Sequence, residues 1–195
     1  HLERHAGPVD SVWHELLSDK VHLDVNIVTP TEERPFYTLF TTGMSDRPMT
    51  VPEEVPDPGA HQYAELLICL PPDWFGETDS PRISQQTPES QFWPIRLVKF
   101  LARLPHDYST WLGFGHTIPN GDPPEPFAEG TELSCALLLP PVTLPPETSS
   151  IETSDGRVIN LWAVIPIYDE EAQQKLARGT ESLFDGFDRF RVSEI

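Results

Sequence analysis

The chain has 195 residues, 38% of them apolar, which is enough to bury the core of one domain. Its 13 basic and 31 acidic residues give a net charge of −18, a field that repels nucleic-acid backbones and anionic membranes and attracts basic proteins. No apolar run approaches the roughly 20 residues that cross a bilayer, and the polar first ten residues show no signal peptide, so we expect a cytoplasmic protein.

The first part of the chain predicts a short helix followed by three strands. Residues 8–17 carry apolar side chains at helical spacing. Residues 21–30 alternate apolar and polar side chains as in a half-buried strand. Residues 35–42 are rich in aromatic and β-branched side chains, which predicts a second strand. We expect the two strands to pair as a hairpin. After a long loop over residues 43–62, residues 64–71 form an apolar run, which predicts a strand buried on both faces.

The clearest helix covers residues 92–108 and follows an exposed polar stretch over residues 77–91. Pro94 suits its first turn, where a missing N–H removes no helical bond. A loop rich in glycine and proline follows over residues 109–131, and long loops of this kind tend to be functional or mobile. The predicted apolar face of the helix consists of Trp93, Leu97, Phe100, Leu101 and Leu104.

The last third predicts two more strands and a closing helix. The strands cover residues 132–142 and 159–168, with an Asp-Gly turn signal between them. Residues 169–190 predict a helix with an acidic start that is interrupted near Gly179. Short, hairpin-like connections favour an α+β fold in a single domain over all 195 residues, with a mixed, mainly antiparallel sheet of about five strands covered by helices.

The two cysteines, Cys69 and Cys135, lie in apolar, strand-like runs. We expect both to be buried, reduced thiols that behave as small apolar side chains. A disulfide would require the two strands to be neighbours, and sparse cysteine favours the reduced form. Neither cysteine has basic sequence neighbours, so a thiol nucleophile is not expected.

Seven histidines raise the question of metal binding or catalysis. His14 begins a motif that resembles a zinc-protease helix, but Ser18 stands where the second histidine is needed. His22 and Asp24 share one face of a predicted strand, and with His116 they define an alternative, a metal-dependent hydrolase. No further ligands accompany them at matching spacing, so we expect no metal, no cofactor and no enzymatic activity.

Two loops carry the candidate binding residues. The segment TTGMSDRPMTVP holds both methionines of the chain, and we expect it to turn at Gly43 and to pack at least one methionine on the domain. The segment GFGHTIPNGD is not a phosphate loop, since it has no third glycine at dinucleotide spacing and no Lys-Ser/Thr pair. The candidate protein-binding residues of both loops are Met44, Ser45, Asp46, Met49, Trp111, His116, Asn120 and Asp122.

Several segments together resemble one family, the bacterial branch of the suppressor of fused family. The resemblance covers nearly the whole chain and includes two unusual signatures, Gly-Met-Ser and Gly-His-Thr-x-Pro-Asn-Gly. The resemblance implies that this chain corresponds to the N-terminal domain of the animal members. Those members have two domains, and they bind and restrain transcription factors. For bacterial members it implies immunity proteins that neutralise toxins, with no catalytic residues. In chain order, the segments are HLDVNIVTPTEERPFYTLFTTGMSDRPMTVP, AELLICLPPDW, FWPIRLVKFLARLPHDYSTWLGFGHTIPNGDP and LWAVIPIYDEEAQQKLARG.

Three functions stay open at this point. The first is a non-enzymatic protein that sequesters a protein partner, such as a basic toxin, because the acidic field would steer a basic partner. The second is the metal-dependent hydrolase described above, and the third is a scaffold or homo-oligomer. A co-purifying protein would favour the first, bound metal the second, and size in solution the third.

Overall fold

The structure, a computed structural model, describes residues 2–14, 20–76, 83–84, 86–190 and 193–195. Within these ranges the chain forms eight strands and four helices. The strands are β1 (Ser11–Trp13), β2 (Asp24–Val28), β3 (Tyr37–Thr42), β4 (Tyr63–Leu70), β5 (Thr117–Pro119), β6 (Cys135–Leu139), β7 (Ser150–Glu152) and β8 (Val158–Ile167). The helices are α1 (Leu2–Ala6), α2 (Glu89–Tyr108), α3 (Asp169–Arg178) and α4 (Thr180–Phe190).

All eight of these strands join one mixed sheet. Their order is β1-β2-β3-β4-β8-β6-β5, and β7 pairs with the start of β8. Only the β4–β8 pairing is parallel, which confirms the prediction of a mixed, mainly antiparallel sheet in an α+β fold. The prediction of about five strands is wrong, because β1, β5 and β7 have three residues each and are too short to show a periodic pattern.

Helices cover both faces of the sheet. The core on one face lies under α2, where the completely buried Leu66 of β4 belongs to the same apolar cluster as Ile95 and Leu101 of the helix. The core on the other face includes Leu67 of β4 together with side chains of α1, α3 and α4. Successive residues of β4 therefore enter opposite cores, which confirms the prediction of a strand buried on both faces.

The predicted helix over residues 8–17 is wrong where the structure describes it. Residues 15–17 lie outside the described ranges, and Ser11–Trp13 form β1 instead. Strand β1 pairs antiparallel with β2, and the Trp13 ring packs edge-on against Phe92 at a centroid distance of 5.2 Å. A segment this short has weak helical preference, so pairing with the neighbouring strand decides its conformation.

Helix α2 differs from its prediction in its start and its face. It begins at Glu89, which places Pro94 in the second turn rather than the first. Phe100 is 47% exposed and so does not belong to the buried face, which is completed instead by Ile95, Val98 and Ala102. Most of the polar stretch predicted before this helix, residues 77–82 and 85, lies outside the described ranges.

Other predicted features are confirmed. Strands β2 and β3 form the expected hairpin, with Asn26 opposite Phe40. The closing helix is interrupted at Gly179, between α3 and α4. Cys69 and Cys135 are both buried and free. No helix in the described part of the chain is both long and apolar enough to span a membrane.

Candidate functional site

The loop between β3 and β4, residues 43–62, is ordered by two tight turns. Gly43 opens it in the left-handed region, at φ 107°, and a 3₁₀ turn follows over Met44–Asp46. A second 3₁₀ turn covers Pro58–His61 just before β4. The loop is also tied to the segment after α2, because the Thr50 N–H donates to the Thr110 carbonyl at 3.0 Å.

A buried carboxylate in β4 holds the first turn in place. Glu65 is 4% exposed, and its Oε1 accepts hydrogen bonds from the Gly43 N–H at 3.0 Å and the Ser45 N–H at 2.9 Å. The Ser45 hydroxyl donates to the same oxygen at 2.7 Å, and the Thr41 hydroxyl donates to Oε2 at 2.7 Å. One side chain thus satisfies two backbone donors of a turn that lacks helical partners.

Burial raises the pKa of the Glu65 carboxyl above its ordinary value, while the hydrogen bonds from Ser45, Thr41 and Gly43 oppose that rise. We did not predict this residue from the sequence, because residues 64–71 look like one apolar run. A single acidic residue inside such a run was the available signal, since an ionisable side chain is rarely buried without partners.

Both methionines of the loop are buried. Met44 is 0% exposed and Met49 is 3% exposed, and both belong to the core beneath α2. The Met44 carbonyl lies 3.0 Å from His106 Nε2 of α2, and the Leu112 N–H lies 3.4 Å from the Met49 sulfur. The prediction that at least one methionine packs on the domain is confirmed, and neither methionine reaches the surface.

The outer side of the same loop is mostly acidic, with one exposed basic residue, Arg47. Four carboxylates of the loop are exposed, and we call them the acidic loop surface: Asp46, Glu53, Glu54 and Asp57. Arg157 of the β7–β8 hairpin ties this side of the loop to the sheet, since its Nη1 donates to the Ser45 carbonyl at 3.4 Å and its guanidinium lies 5.2 Å from the centroid of the Tyr63 ring.

Only some of the other predicted binding residues lie together. Trp111 and His116 pack edge to face at a centroid distance of 4.5 Å, and His61 of the loop approaches Trp111 at 5.7 Å. Burial, followed by the charge of Lys175, lowers the pKa of His116 below its ordinary value. Aromatic contacts therefore join the first predicted loop to the start of the second.

Asn120 and Asp122 lie beyond β5, at its far end from His116. The Asn120 side chain donates to the Glu125 carbonyl at 2.7 Å, so its observed contacts organise its own turn. Asp122 is exposed. Their predicted role in binding stays a prediction.

The histidines of the predicted hydrolase site are not assembled. His22 Nε2 lies 3.4 Å from Asp24 Oδ1, and His14 Nδ1 approaches the same oxygen at 3.2 Å. His116 instead packs against Trp111. Across the residues that the structure describes, no three His, Cys, Asp or Glu side chains are grouped so that they could hold a metal ion.

We expect the substitution Met44→Ala to lower the free energy of unfolding by about 3 kcal/mol, because it opens a cavity in a closely packed core. Denaturant titration of the two proteins measures this difference. Asp46→Ala, in the same turn but exposed, is the control and should change stability by no more than about 0.5 kcal/mol. Equal stability of the Met44 variant and the wild type would show that the methionine does not anchor the loop.

Comparison with known proteins gives one family and several similar folds. The family model described as suppressor of fused protein (SUFU) matches residues 19–195. A search of the curated proteins finds no match.

Solved structures with similar folds come from the same family. A SUFU homologue from Neisseria gonorrhoeae superposes with a TM-score of 0.64 at 17% identity, covering 100% of this chain and 88% of that one. A structure described as the Sufu-Fu complex gives a TM-score of 0.61 at 15% identity, covering 99% and 80%. Drosophila Suppressor of Fused gives a TM-score of 0.50 at 16% identity, covering 79% of this chain and 35% of that one.

Proposed function

The chain belongs to the suppressor of fused family, and from this membership we propose that it is a non-enzymatic protein that binds and sequesters another protein. The finer proposal is an immunity-type role in a bacterium, in which the partner is a basic toxin or effector. A solved relative is described as a complex of Sufu with Fu, which supports a protein as the class of partner.

The observation that carries this proposal is the acidic loop surface on a loop whose inner side is fastened to the core. Glu65, Met44 and Met49 hold that inner side through hydrogen bonds and burial. A binding loop that is already ordered loses less conformational entropy when it meets its partner. The four exposed carboxylates then present negative charge on a loop whose inner side is held in place.

The charge of the whole chain supports a basic partner. A net charge of −18 attracts cations over a range of about one Debye length, roughly 8 Å at physiological salt. Such a field accelerates association with a basic protein and disfavours acidic competitors. Binding at this surface should therefore weaken as the salt concentration rises.

We expect neutralisation of the acidic loop surface to weaken partner capture strongly. The variant Asp46→Asn, Glu53→Gln, Glu54→Gln, Asp57→Asn should recover its protein partner from native-host lysate at least about tenfold less efficiently than the wild type, because it loses the charges that face the partner. Thermal unfolding should stay close to that of the wild type, because all four side chains are exposed.

The matched control removes the same amount of charge elsewhere. Neutralising Glu132, Glu147, Glu170 and Asp185, which are also exposed, takes the net charge from −18 to −14 as well, since four carboxylates are lost in both variants. The control should retain most of the binding. Equal loss in both variants would assign the effect to net charge alone, and equal binding by all three proteins would contradict the proposed surface.

A further inference from the structure

The sheet splits at the far end of β4 from the acidic loop surface. Strands β4 and β8 are paired from Tyr63 opposite Ile159 to Leu67 opposite Ala163. Beyond that level β4 continues beside β3 and β8 continues beside β6, and no pairing between the two is present in the described ranges. The facing edges of Ile68–Leu70 and Val164–Ile167 therefore border a gap in the sheet.

Two cavities meet at this gap. One, of about 540 Å³, passes between β4 and β8 and is lined by Ile68, Leu70, Trp93 and Pro166 among others. The other, of about 370 Å³, lies beneath α4 and is lined by Leu139, Phe184 and Phe187 among others. Ser193 and Glu194 line both cavities together with Ile165 of β8, so these three residues lie between them.

The Glu194 carboxylate occupies a site with several donors. Its Oε2 accepts hydrogen bonds from the Val142 N–H at 2.7 Å and the Thr143 N–H at 2.8 Å. Its Oε1 accepts one from the Thr143 hydroxyl at 2.9 Å and lies 3.6 Å from the Cys69 sulfur. Two successive backbone N–H groups and a hydroxyl aimed at one carboxylate form an anion site that the backbone itself supplies.

We propose that this gap is a binding groove for an extended segment of a protein partner, a segment with a carboxylate side chain followed by an aliphatic residue, and that residues 193–195 occupy the groove in its place. The sequence Ser-Glu-Ile of residues 193–195 defines that chemistry, because Glu194 fills the carboxylate site, while Ile195 lines the larger cavity and stays 44% exposed. Among the described residues, β4 beyond Leu67 and β8 beyond Ala163 are not paired with each other, so their facing edges offer backbone groups to an extended chain. This groove stands independently of the acidic loop surface.

The internal segment competes with any external one. A segment of the same chain is present at an effective concentration of about millimolar, so a free peptide binds weakly until that segment is displaced. A peptide of residues 190–195 carries the opposite charges of Arg191 and Glu194, so the protein's charge of −18 acts only weakly on it at long range. Salt should therefore change peptide affinity little, unlike the binding of a basic partner at the acidic loop surface.

The test uses the full chain with Glu194→Gln, which weakens the internal contact and leaves the donors of the site intact. Cys69 reports on opening, because burial and then the charge of Glu194 raise the pKa of its thiol to about 12 and keep it unreactive while the segment is in place. We expect alkylation of Cys69 by N-ethylmaleimide to become about tenfold faster, as expected for the loss of charge-assisted hydrogen bonds. Cys135, which is buried in β6, should stay unlabelled.

The second measurement is fluorescence anisotropy with a labelled peptide of the sequence of residues 190–195. This peptide should bind Glu194→Gln about tenfold more tightly than the wild type, because the internal competitor is weakened. A peptide with glutamine in place of its glutamate should not bind. Thr143→Val removes a donor of the carboxylate site itself. It should therefore accelerate Cys69 labelling without raising the affinity for the peptide.

Three results would overturn the inference. Unchanged labelling of Cys69 in Glu194→Gln would show that Glu194 does not keep the groove closed. Equal peptide affinity for the wild type and Glu194→Gln would show that the peptide does not compete with residues 193–195, and no binding to either would show that the groove accepts no such segment. Labelling of Cys135 together with Cys69 would show that residues 193–195 belong to the fold rather than to a displaceable occupant.

Discussion

Replacing Glu65 with alanine should lower the free energy of unfolding by about 5 kcal/mol, the largest effect that we expect from a single substitution in this chain. The change leaves a cavity in β4 and removes the acceptor for the Gly43 and Ser45 N–H groups and for two hydroxyls. Each buried donor without a partner costs about 1–3 kcal/mol. Denaturant titration measures the loss.

Glu65→Gln is the matched variant, and we expect it to cost only about 1 kcal/mol. Its amide oxygen can accept the hydrogen bonds now made to Oε1, and its NH₂ group can donate to the Thr41 hydroxyl in place of accepting from it. The Thr41 hydroxyl can then donate to the Leu66 carbonyl, which lies 3.4 Å away. A loss as large as that of alanine would show that the negative charge itself is needed at this position.

We also expect the difference in stability between the wild type and Glu65→Gln to depend on pH. The pKa of Glu65 is raised in the folded protein above its ordinary value of 4.5, so the folded state keeps this proton to a higher pH than the unfolded state does. The contribution of Glu65 to stability is therefore greatest below the ordinary pKa and falls as the pH rises through the raised pKa. The free energy of unfolding of the wild type, minus that of Glu65→Gln, should decline over this window. A difference that rises with pH would contradict the raised pKa.

We expect Gly43→Ala to lower the free energy of unfolding by about 4 kcal/mol, the second largest effect. Gly43 has φ 107°, a conformation that L side chains rarely adopt. A Cβ added there would lie 1.9 Å from the His22 carbonyl oxygen, which belongs to the backbone and cannot move aside alone. The turn over Met44–Asp46 would shift, and the hydrogen bonds to Glu65 would weaken with it.

Gly156→Ala separates the two causes of that loss. Gly156 also has a positive φ, 82°, but an added Cβ would meet no atom within 4 Å. It should therefore show only the cost of the left-handed conformation, about 1 kcal/mol. Circular dichroism during thermal unfolding compares both variants with the wild type. Similar losses at the two glycines would show that the close approach to His22 does not contribute.

The sequence by itself determined the features that rest on periodicity and local chemistry. The alternation over residues 21–30 and the aromatic strand that follows predicted the hairpin of β2 and β3, because a period of two residues places one face in the core. The broken closing helix followed from Gly179, and packing of at least one methionine followed from two large apolar side chains in a proline-stiffened loop, although the structure buries both. The family resemblance rested on segments of this kind.

Only the tertiary structure decided which segments meet. Three-residue strands such as β1 carry too little pattern, and their conformation depends on the strand beside them. In the sequence, Glu65 is only a single acidic residue within an apolar run. The fold places the turn at Gly43 next to its carboxylate, which accepts the Gly43 N–H. The gap between β4 and β8 and the site for Glu194 likewise join residues far apart in the chain. Contacts between distant residues depend on how the strands are ordered in the sheet, and local periodicity carries no information about that order.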